Sequence, residues 1–476
     1  MAFRSSRKKS GSTSFRPSIE SLEGRWAPSI GAPEPPPDGA SITSDESHAG
    51  PPTATLGASV AGKVVTVTFT DQADPQYTDD EAGFQYSYAF EGENLDLVEK
   101  TDSASATFKY KDKGSHTIHA RIYNKDGLFA EYHTTVQVKV KPIFVTGADA
   151  GGGPHVKVFD HKGVVKHSFY AYDPYWAGGV AVAKGDFNDD GVLDIVTAAG
   201  PGGGPHVRVF DGKDLSELAS FYAYDADFHG GVTIAVGDLN GDGRVDLITG
   251  MAVGGSIVQG IDGTKLDKMG TADEHEAMLH MFNAFPTDPG GPSIDLFPGQ
   301  HMGGVNVASG DINKDGHDDI IAGMASFGGQ VKIFSGKDAL LIRGFAAFGP
   351  FNKNGVTVAA GDVDGDGHVD ILLGQDSGNG AQLRMIRGHD GRLLHMIVPF
   401  FFSSNANSMR GGIFGGIPNG VRAALIDLDG DGADELIVSS RSGYRPRVRV
   451  FTHMGGKDLH DFDAYHLHFT GGVNVG

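Results

Sequence analysis

Asp238-Leu-Asn-Gly-Asp-Gly-Arg-Val-Asp246 sets oxygen-bearing side chains at positions 1, 3, 5 and 9 around a central Asp-Gly. Four further stretches fit the same template. They are Asp186-Phe-Asn-Asp-Asp-Gly-Val-Leu-Asp194, Asp311-Ile-Asn-Lys-Asp-Gly-His-Asp-Asp319, Asp362-Val-Asp-Gly-Asp-Gly-His-Val-Asp370 and Asp427-Leu-Asp-Gly-Asp-Gly-Ala-Asp-Glu435. Oxygen-only donors at alternate positions suit a hard cation such as Ca2+, which takes six to eight oxygens. Positions 1, 3 and 5 supply side-chain oxygens: Asp186, Asn188, Asp190; Asp238, Asn240, Asp242; Asp311, Asn313, Asp315; Asp362, Asp364, Asp366; Asp427, Asp429, Asp431. Gly at position 6 permits the turn that brings the position 7 carbonyl inward, from Val192, Arg244, His317, His368 or Ala433. The acid at position 9 (Asp194, Asp246, Asp319, Asp370, Glu435) closes the cage. Without a cation, several carboxylates crowded within a few ångström repel one another and destabilise the loop.

The flanks decide what kind of loop this is. An apolar strand-like run ends before each loop and another begins after it, as in Asp194-Ile-Val-Thr197. No helical period flanks the loops. Position 12 holds Thr197, Thr249, Ala322, Leu373 and Val438 in place of the bidentate Glu of an EF-hand. Gly185, Gly237, Gly310 and Gly361 precede four of the loops, and Ile426 precedes the fifth.

Outward from the loops, residues 142–476 repeat. A Gly-Gly-Val phrase recurs at Gly178-Gly-Val180, Gly230-Gly-Val232, Gly303-Gly-Val305 and Gly471-Gly-Val473, with weaker forms at Asn354-Gly-Val356 and Asn419-Gly-Val421. A short alternating strand recurs as His155-Val-Lys-Val-Phe159, His206-Val-Arg-Val-Phe210, Gln330-Val-Lys-Ile-Phe334, Gln382-Leu-Arg-Met-Ile386 and Arg447-Val-Arg-Val-Phe451, with Ser256-Ile-Val-Gln-Gly260 as a degenerate copy. Four short strands in each repeat of roughly 50–70 residues is the pattern of propeller blades. The first copy begins at its second strand, Pro142-Ile-Phe-Val-Thr-Gly147, and the last is an opening strand alone, Gly471-Gly-Val-Asn-Val-Gly476. Joined, they complete one blade and remove a sheet edge. The expectation is an all-β fold with a six-bladed β-propeller; seven blades is the alternative, because the insertions at 261–302 and 399–419 have room for strands.

The loops, the hairpin flanks and the Gly-Asp lead-in resemble the FG-GAP repeats of the integrin α-chain head. The resemblance covers 142–476 and implies a calcium-binding propeller with up to five Ca2+ sites, structural in role, on an adhesion or ligand-binding head. Residues 57–141 alternate as strands, with Val65, Val67 and Phe69 on one face, and resemble a PKD domain through Phe69-Thr-Asp71, Gly114-Ser-His-Thr-Ile118 and Asp126-Gly127. The family's WDFGDG segment is replaced by Tyr88-Ala-Phe-Glu-Gly-Glu-Asn94. Residues 31–56, with Pro35-Pro-Pro37 and Pro51-Pro52, read as a linker, and residues 1–30 as a basic segment. Phe15 to Ser29 resembles the leader of large bacterial surface proteins; an unstructured basic tail is the other reading.

Gly makes up 71 of 476 residues and Cys none, which fits a turn-rich β-chain that folds without disulfides. The formal charge is −21 although the first 30 residues are basic, so the body excludes nucleic acid as a partner. No apolar run is long enough for a membrane span, and no standard signal peptide follows the basic start.

Three other motifs read as structural. His275-Glu-Ala-Met-Leu-His280 is one residue too long for a zinc-binding helix and reads as an insertion helix. Gly151-Gly-Gly-Pro-His155 and Gly202-Gly-Gly-Pro-His206 lack a following helix and read as hairpin turns. His466-Leu-His468 reads as surface histidines alternating on a strand. The expected function is a non-enzymatic, exported binding or adhesion module at the cell surface, with an unknown protein or glycan ligand. The alternatives are a polysaccharide lyase or hydrolase using the propeller face, with Arg410, His275 and His280 as its available groups, and a structural spacer of a surface layer.

Overall fold

A computed structural model describes residues 50–61, 64–76, 83–90, 93–110, 114–138, 142–286, 303–326, 328–349, 353–377, 382–400 and 420–476. The basic leader-like segment, most of the Pro/Gly-rich stretch and most of the 399–419 insertion, Arg410 included, lie outside the described residues.

The chain is all-β. Thr53–Ala61, Val64–Ala73 and Ser105–Lys109 form one three-stranded antiparallel sheet, and Gln85–Ala89, Gly114–Tyr123 and Phe129–Val138 another. The first of these strands starts inside the stretch read as linker. Alternation works as expected: Val65, Val67 and Phe69 turn inward and pack on Tyr86, Tyr88, Ile118 and Val136. Phe69 stacks on Tyr86 with ring centroids 5.5 Å apart.

Six four-stranded antiparallel sheets follow among the described residues, giving a propeller-like fold. Five are continuous meanders. Their opening strands are Val180–Gly185, Val232–Gly237, Val305–Gly310, Val356–Gly361 and Val421–Ile426, called here the inner strands of sheets 1 to 5. Sheet 6 joins the chain's far parts: Val473–Val475 pairs antiparallel with Ile143–Ala148, which continues into His155–Asp160 and Val165–Tyr170. Val473–Val475 also touches the inner strands of sheets 5 and 1.

The core is divided accordingly. One apolar cluster lies between sheets 1 and 2 (Val196, Ile234, Leu247), and others between 2 and 3, 3 and 4, and 4 and 5. Two more complete the series: Phe144, Phe159 and Ile437 between sheets 5 and 6, and Val145, Val182 and Ile195 between sheets 6 and 1. The second strand of each sheet is buried on both faces, which explains near-continuous runs such as Asp194–Ala199, with all six residues buried.

Aromatic and basic side chains clasp one sheet to the next. The Tyr172 hydroxyl of sheet 6 donates to the His206 carbonyl at 2.8 Å, Tyr224 of sheet 1 to Ile257 at 3.0 Å, and Tyr465 of sheet 5 to His155 at 2.9 Å. In the repeated alternating strand, the central basic residue reaches back to the preceding sheet: Lys157 Nζ donates to the Ala464 carbonyl at 2.6 Å and Lys332 Nζ to Ala284 at 3.0 Å. The degenerate strand has Gln259 there, buried, accepting from Thr249 Oγ1 at 3.2 Å.

Two expectations fail locally. The insertion helix at His275–His280 is a short 3-10 turn, Glu274–Glu276, followed by the strand Met278–Asn283. Pairing with Ile257–Ile261 makes that strand the fourth of sheet 2 and overrides any helical tendency. His466 and His468 lie on a turn beyond the strand Asp458–Asp463, because Ala464 and Tyr465 turn inward to the core. The glycine-rich segments do sit between strands, with Gly151 at φ +97° and Gly153 at φ +69°.

Candidate metal centres in the inter-strand loops

Each acidic loop connects the first and second strands of sheets 1 to 5. Gly185 pairs with Asp194, Gly237 with Asp246, Gly310 with Asp319, Gly361 with Asp370 and Ile426 with Glu435. All five position 6 glycines have positive φ: Gly191, Gly243, Gly316, Gly367 and Gly432 at +77° to +97°. Position 4 is left-handed too, and in loops 1 and 3 non-glycine residues hold that conformation, Asp189 at φ +69° and Lys314 at φ +59°.

The carboxylate at position 1 organises each loop from inside. Asp186 accepts from the N–H of Asp190 and of Gly191, both at 3.0 Å, and Asp311 accepts from Asp315 at 3.1 Å and Gly316 at 3.0 Å. Asp238, Asp362 and Asp427 accept from Gly243, Gly367 and Gly432 at 2.7, 2.7 and 3.2 Å. Position 5 accepts from position 7, as in Val192 to Asp190 at 2.8 Å and His368 to Asp366 at 3.0 Å. These bonds hold the oxygens of positions 1, 3 and 5 toward one side of the turn.

Position 9 lies deepest. Asp194 accepts from Phe187 at 2.8 Å and from Gly212 at 3.0 Å, so it ties the loop to the turn after the third strand. Asp246 does the same with Leu239 at 2.9 Å and Gly263 at 3.0 Å. Burial pushes Asp194 up to about 6 and Asp246, Asp319 and Asp370 up to about 7; the backbone N–H groups pull the other way. Burial also raises Glu435. Its Oε2 accepts from Leu428 at 2.8 Å, and its Oε1 is buried with no hydrogen-bond partner among the described residues.

In loops 4 and 5 the acids converge. Asp362, Asp364 and Asp370 each bring an oxygen within 4.8 Å of the others, as do Asp427, Asp429 and Glu435. Oxygen-only donors at that separation fit a hard divalent cation.

Several neighbours of the loops escaped the nine-residue template. Position 8 has no part in the template, yet Asp318 in loop 3 and Asp434 in loop 5 reach back to the preceding sheet. Asp318 Oδ2 accepts from the Asp238 N–H at 2.8 Å, and Asp434 Oδ2 from the Asp362 N–H at 2.8 Å. A break in pattern signals them, since loops 1, 2 and 4 carry Leu193, Val245 and Val369 there. Two of the four lead-in glycines face them: a Cβ on Gly237 meets Ser309 Oγ and then Asp318 Oδ2 at 2.7 Å, and one on Gly361 meets Asp434 Oδ2. Sheet 6 carries no such loop, and Ile426 is accommodated beside it.

The residue after the third strand also faces the loop. Asp211 accepts from Asn188 Nδ2 at 2.9 Å, whereas in sheet 4 the equivalent residue is Arg387, with Nη2 3.4 Å from Asp364 and 3.8 Å from Asp366. Lys213 Nζ lies 2.5 Å from Asp190. From the N-terminal sheets, Lys109 Nζ donates to the Asp189 carbonyl at 3.2 Å and pairs with its carboxylate.

Of the groups weighed for catalysis, Arg410 lies outside the described residues. His275 lies on its turn, while His280 Nε2 hydrogen-bonds the Gly336 carbonyl.

Comparison with known proteins bears on the loops directly. A family model described as FG-GAP-like repeat matches residues 186–249 and 311–373, spans that open on Asp186 and Asp311. The repeats are FG-GAP-like. The chain also aligns with integrin α chains: integrin alpha pat-2 of Caenorhabditis briggsae is 30% identical over 229 residues, covering 43% of this chain and 18% of that one. Integrin alpha-V of Gallus gallus is 27% identical over 246 residues, 45% of this chain and 22% of that one. Integrin alpha-5 of Xenopus laevis is 26% identical over 215 residues, 41% and 19%. Together these matches support an FG-GAP/integrin alpha-like family. The chain spans about a fifth of the length of these relatives. Among solved structures, a quinonprotein alcohol dehydrogenase-like protein from Bacteroides thetaiotaomicron overlaps 87% of this chain and 94% of its own at 13% identity and a TM-score of 0.32, a likeness too loose to carry fold or function.

Proposed function

We propose that the chain is an exported, calcium-dependent binding module. The six four-stranded sheets are read as blades of one ring, with Val473–Val475 bridging sheets 5 and 1, and the two three-stranded sheets as a PKD-like spacer over 57–141. The observation that carries this reading is the convergence of carboxylate oxygens in loops 4 and 5; the FG-GAP-like match takes in loops 1 to 4, and loops 1 to 3 offer an Asn oxygen in place of the Asp at position 3. Asp186, Asp238, Asp311, Asp362 and Asp427 would hold Ca2+ together with positions 3, 5, 7 and 9 of their loops. The cation neutralises the clustered carboxylates, and Asp318 and Asp434 fasten loops 3 and 5 to the loops of the preceding sheets. Extracellular modules bind Ca2+ at roughly 10⁻⁴–10⁻³ M, a range that fills outside the cell. Among the described residues no helix is long and apolar enough to cross a membrane.

The test is capture of the full chain on immobilised matrix proteins and glycans, in millimolar Ca2+ and again in EDTA. Binding that needs Ca2+ supports the module. Turnover of a polysaccharide in the same panel would replace it with the enzyme reading.

A further inference from the structure

The inner strands of the six sheets carry Ala181, Thr233, Asn306, Thr357, Arg422 and Asn474 at equivalent positions, and these line one axial cavity of about 80 Å3. Four of them tie each sheet to the next by donating to the first carbonyl of the neighbouring inner strand. Thr233 donates to Val305 at 2.7 Å, Asn306 to Val356 at 2.9 Å, Thr357 to Val421 at 3.1 Å and Asn474 to Val180 at 2.6 Å.

At Arg422 the belt changes hands. The carbonyl due to it, that of Val473, accepts from Ser439 Oγ at 2.7 Å. Arg422 is thereby free of the structural task its equivalents perform. Its Nε is buried with no hydrogen-bond partner among the described residues, and its Nη2 stands 3.6 Å from Asp149 Oδ2. The side chain is half-buried, with 22% of its surface left open.

The surrounding charges are spoken for. Arg441 pairs with Asp376, donates to its carbonyl at 2.7 Å and lies 3.9 Å from Asp149. Burial works against the Arg441 charge, but Asp376 and then Asp149 more than offset it. For Arg422 the balance is reversed: burial, then Arg441, pull it below its ordinary value despite Asp149. An arginine in that position gains from one more negative group. The charges also break the ring's repetition, because the equivalents of Asp149, Asp376 and Arg441 in sheets 1 to 3 are Gly200, Ala252 and Ala325.

We propose that the axial cavity binds one carboxylate on Arg422. The planar guanidinium fork matches the two oxygens of a carboxylate. Asn474 Oδ1, buried without a hydrogen-bond partner among the described residues, accepts from a hydroxyl or water that enters with it. At about 10–15 Å3 per water, the volume admits an acetate-sized group. The carboxylate comes either from a free small acid or from an acidic side chain of a protein partner.

The experiment uses the full chain with Ca2+ saturating and chloride exchanged for acetate at constant ionic strength. Saturation-transfer NMR of acetate reads binding to the wild-type protein directly. Arg422→Gln is expected to weaken acetate binding at least about tenfold, the loss of a charge-assisted pair, while the thermal response to Ca2+ stays as in wild type. That retained response separates this site from the metal loops. A Glu-rich peptide that binds more tightly than acetate assigns the carboxylate to a protein partner; acetate alone assigns it to a free acid. No transfer to acetate from wild-type protein, or equal transfer from Arg422→Gln, overturns the proposal. If Arg422→Gln does not fold, Arg422→Lys, which keeps the charge and loses the fork, takes its place, with weakened transfer again expected.

Discussion

The Asp434 carboxylate accepts a hydrogen bond from the Asp362 N–H at 2.8 Å, and the Asp434 N–H donates to the Asp362 carbonyl at 2.6 Å. One residue of loop 5 therefore clasps the first acidic residue of loop 4 across a sheet boundary. Asp318 does the same for Asp238, with its own N–H donating at 2.7 Å. Replacing Asp434 by Ala leaves the Asp362 N–H without its acceptor, at a cost of about 1–3 kcal/mol. Urea unfolding of D434A checks this, and D318A is expected to match it in sign.

Arg387 places a positive charge where Asp211 stands in sheet 1. Because calcium loops are tuned by ligand charge count, this cation is expected to weaken Ca2+ binding by loop 4. Arg387→Thr, the residue type of sheet 5 at Thr452, should tighten one class of site by roughly tenfold. Calorimetric titration checks it: an unchanged isotherm contradicts the competing role of Arg387.

The metal-free protein has a defined pH response. Asp194, Asp246, Asp319 and Asp370 have folded-state values raised to about 6–7, above their unfolded value, so the folded state binds more protons in between. Stability in EDTA from these groups is therefore expected to rise as pH falls from about 7 toward 4. Ca2+ favours the ionised form, so its binding should release protons near neutral pH and weaken below pH 6. Melting curves in EDTA across that window, and proton release in two buffers of different ionisation heat, check both signs.

Tyr465 ties sheet 5 to sheet 6 through its hydroxyl, 2.9 Å from the His155 carbonyl and 3.1 Å from Thr146 Oγ1. Tyr465→Phe should cost about 1 kcal/mol, a modest loss because Phe285 and Phe348 fill the equivalent positions after sheets 2 and 3. Denaturant midpoints of wild type and Y465F check it.

Local spacing carried much of this. Gly at position 6 announced a left-handed turn, and Gly191 and its four equivalents adopt one. The recurring apolar runs announced four-stranded sheets, because period and length are written in consecutive residues. What stayed hidden depends on neighbours distant in sequence. Asp318 and Asp434 matter only once two sheets are side by side, and Gly361 is required by a carboxylate 73 residues away. Arg422 looks like any basic residue on a strand until Ser439 is seen to take over its carbonyl. The helix expected at His275–His280 failed for the same reason: strand pairing with Ile257–Ile261, invisible in the local pattern, decided it.

The central claim is that the five loops hold Ca2+, and thermal unfolding of the full chain in EDTA and then in millimolar Ca2+, with Mg2+ as control, tests it most directly. Each filled site adds RT ln(1 + [L]/Kd), so several sites together should raise the melting temperature by several degrees with Ca2+ and much less with Mg2+. Identical melting in EDTA and Ca2+ would contradict the account and leave the loops as acidic hairpin turns.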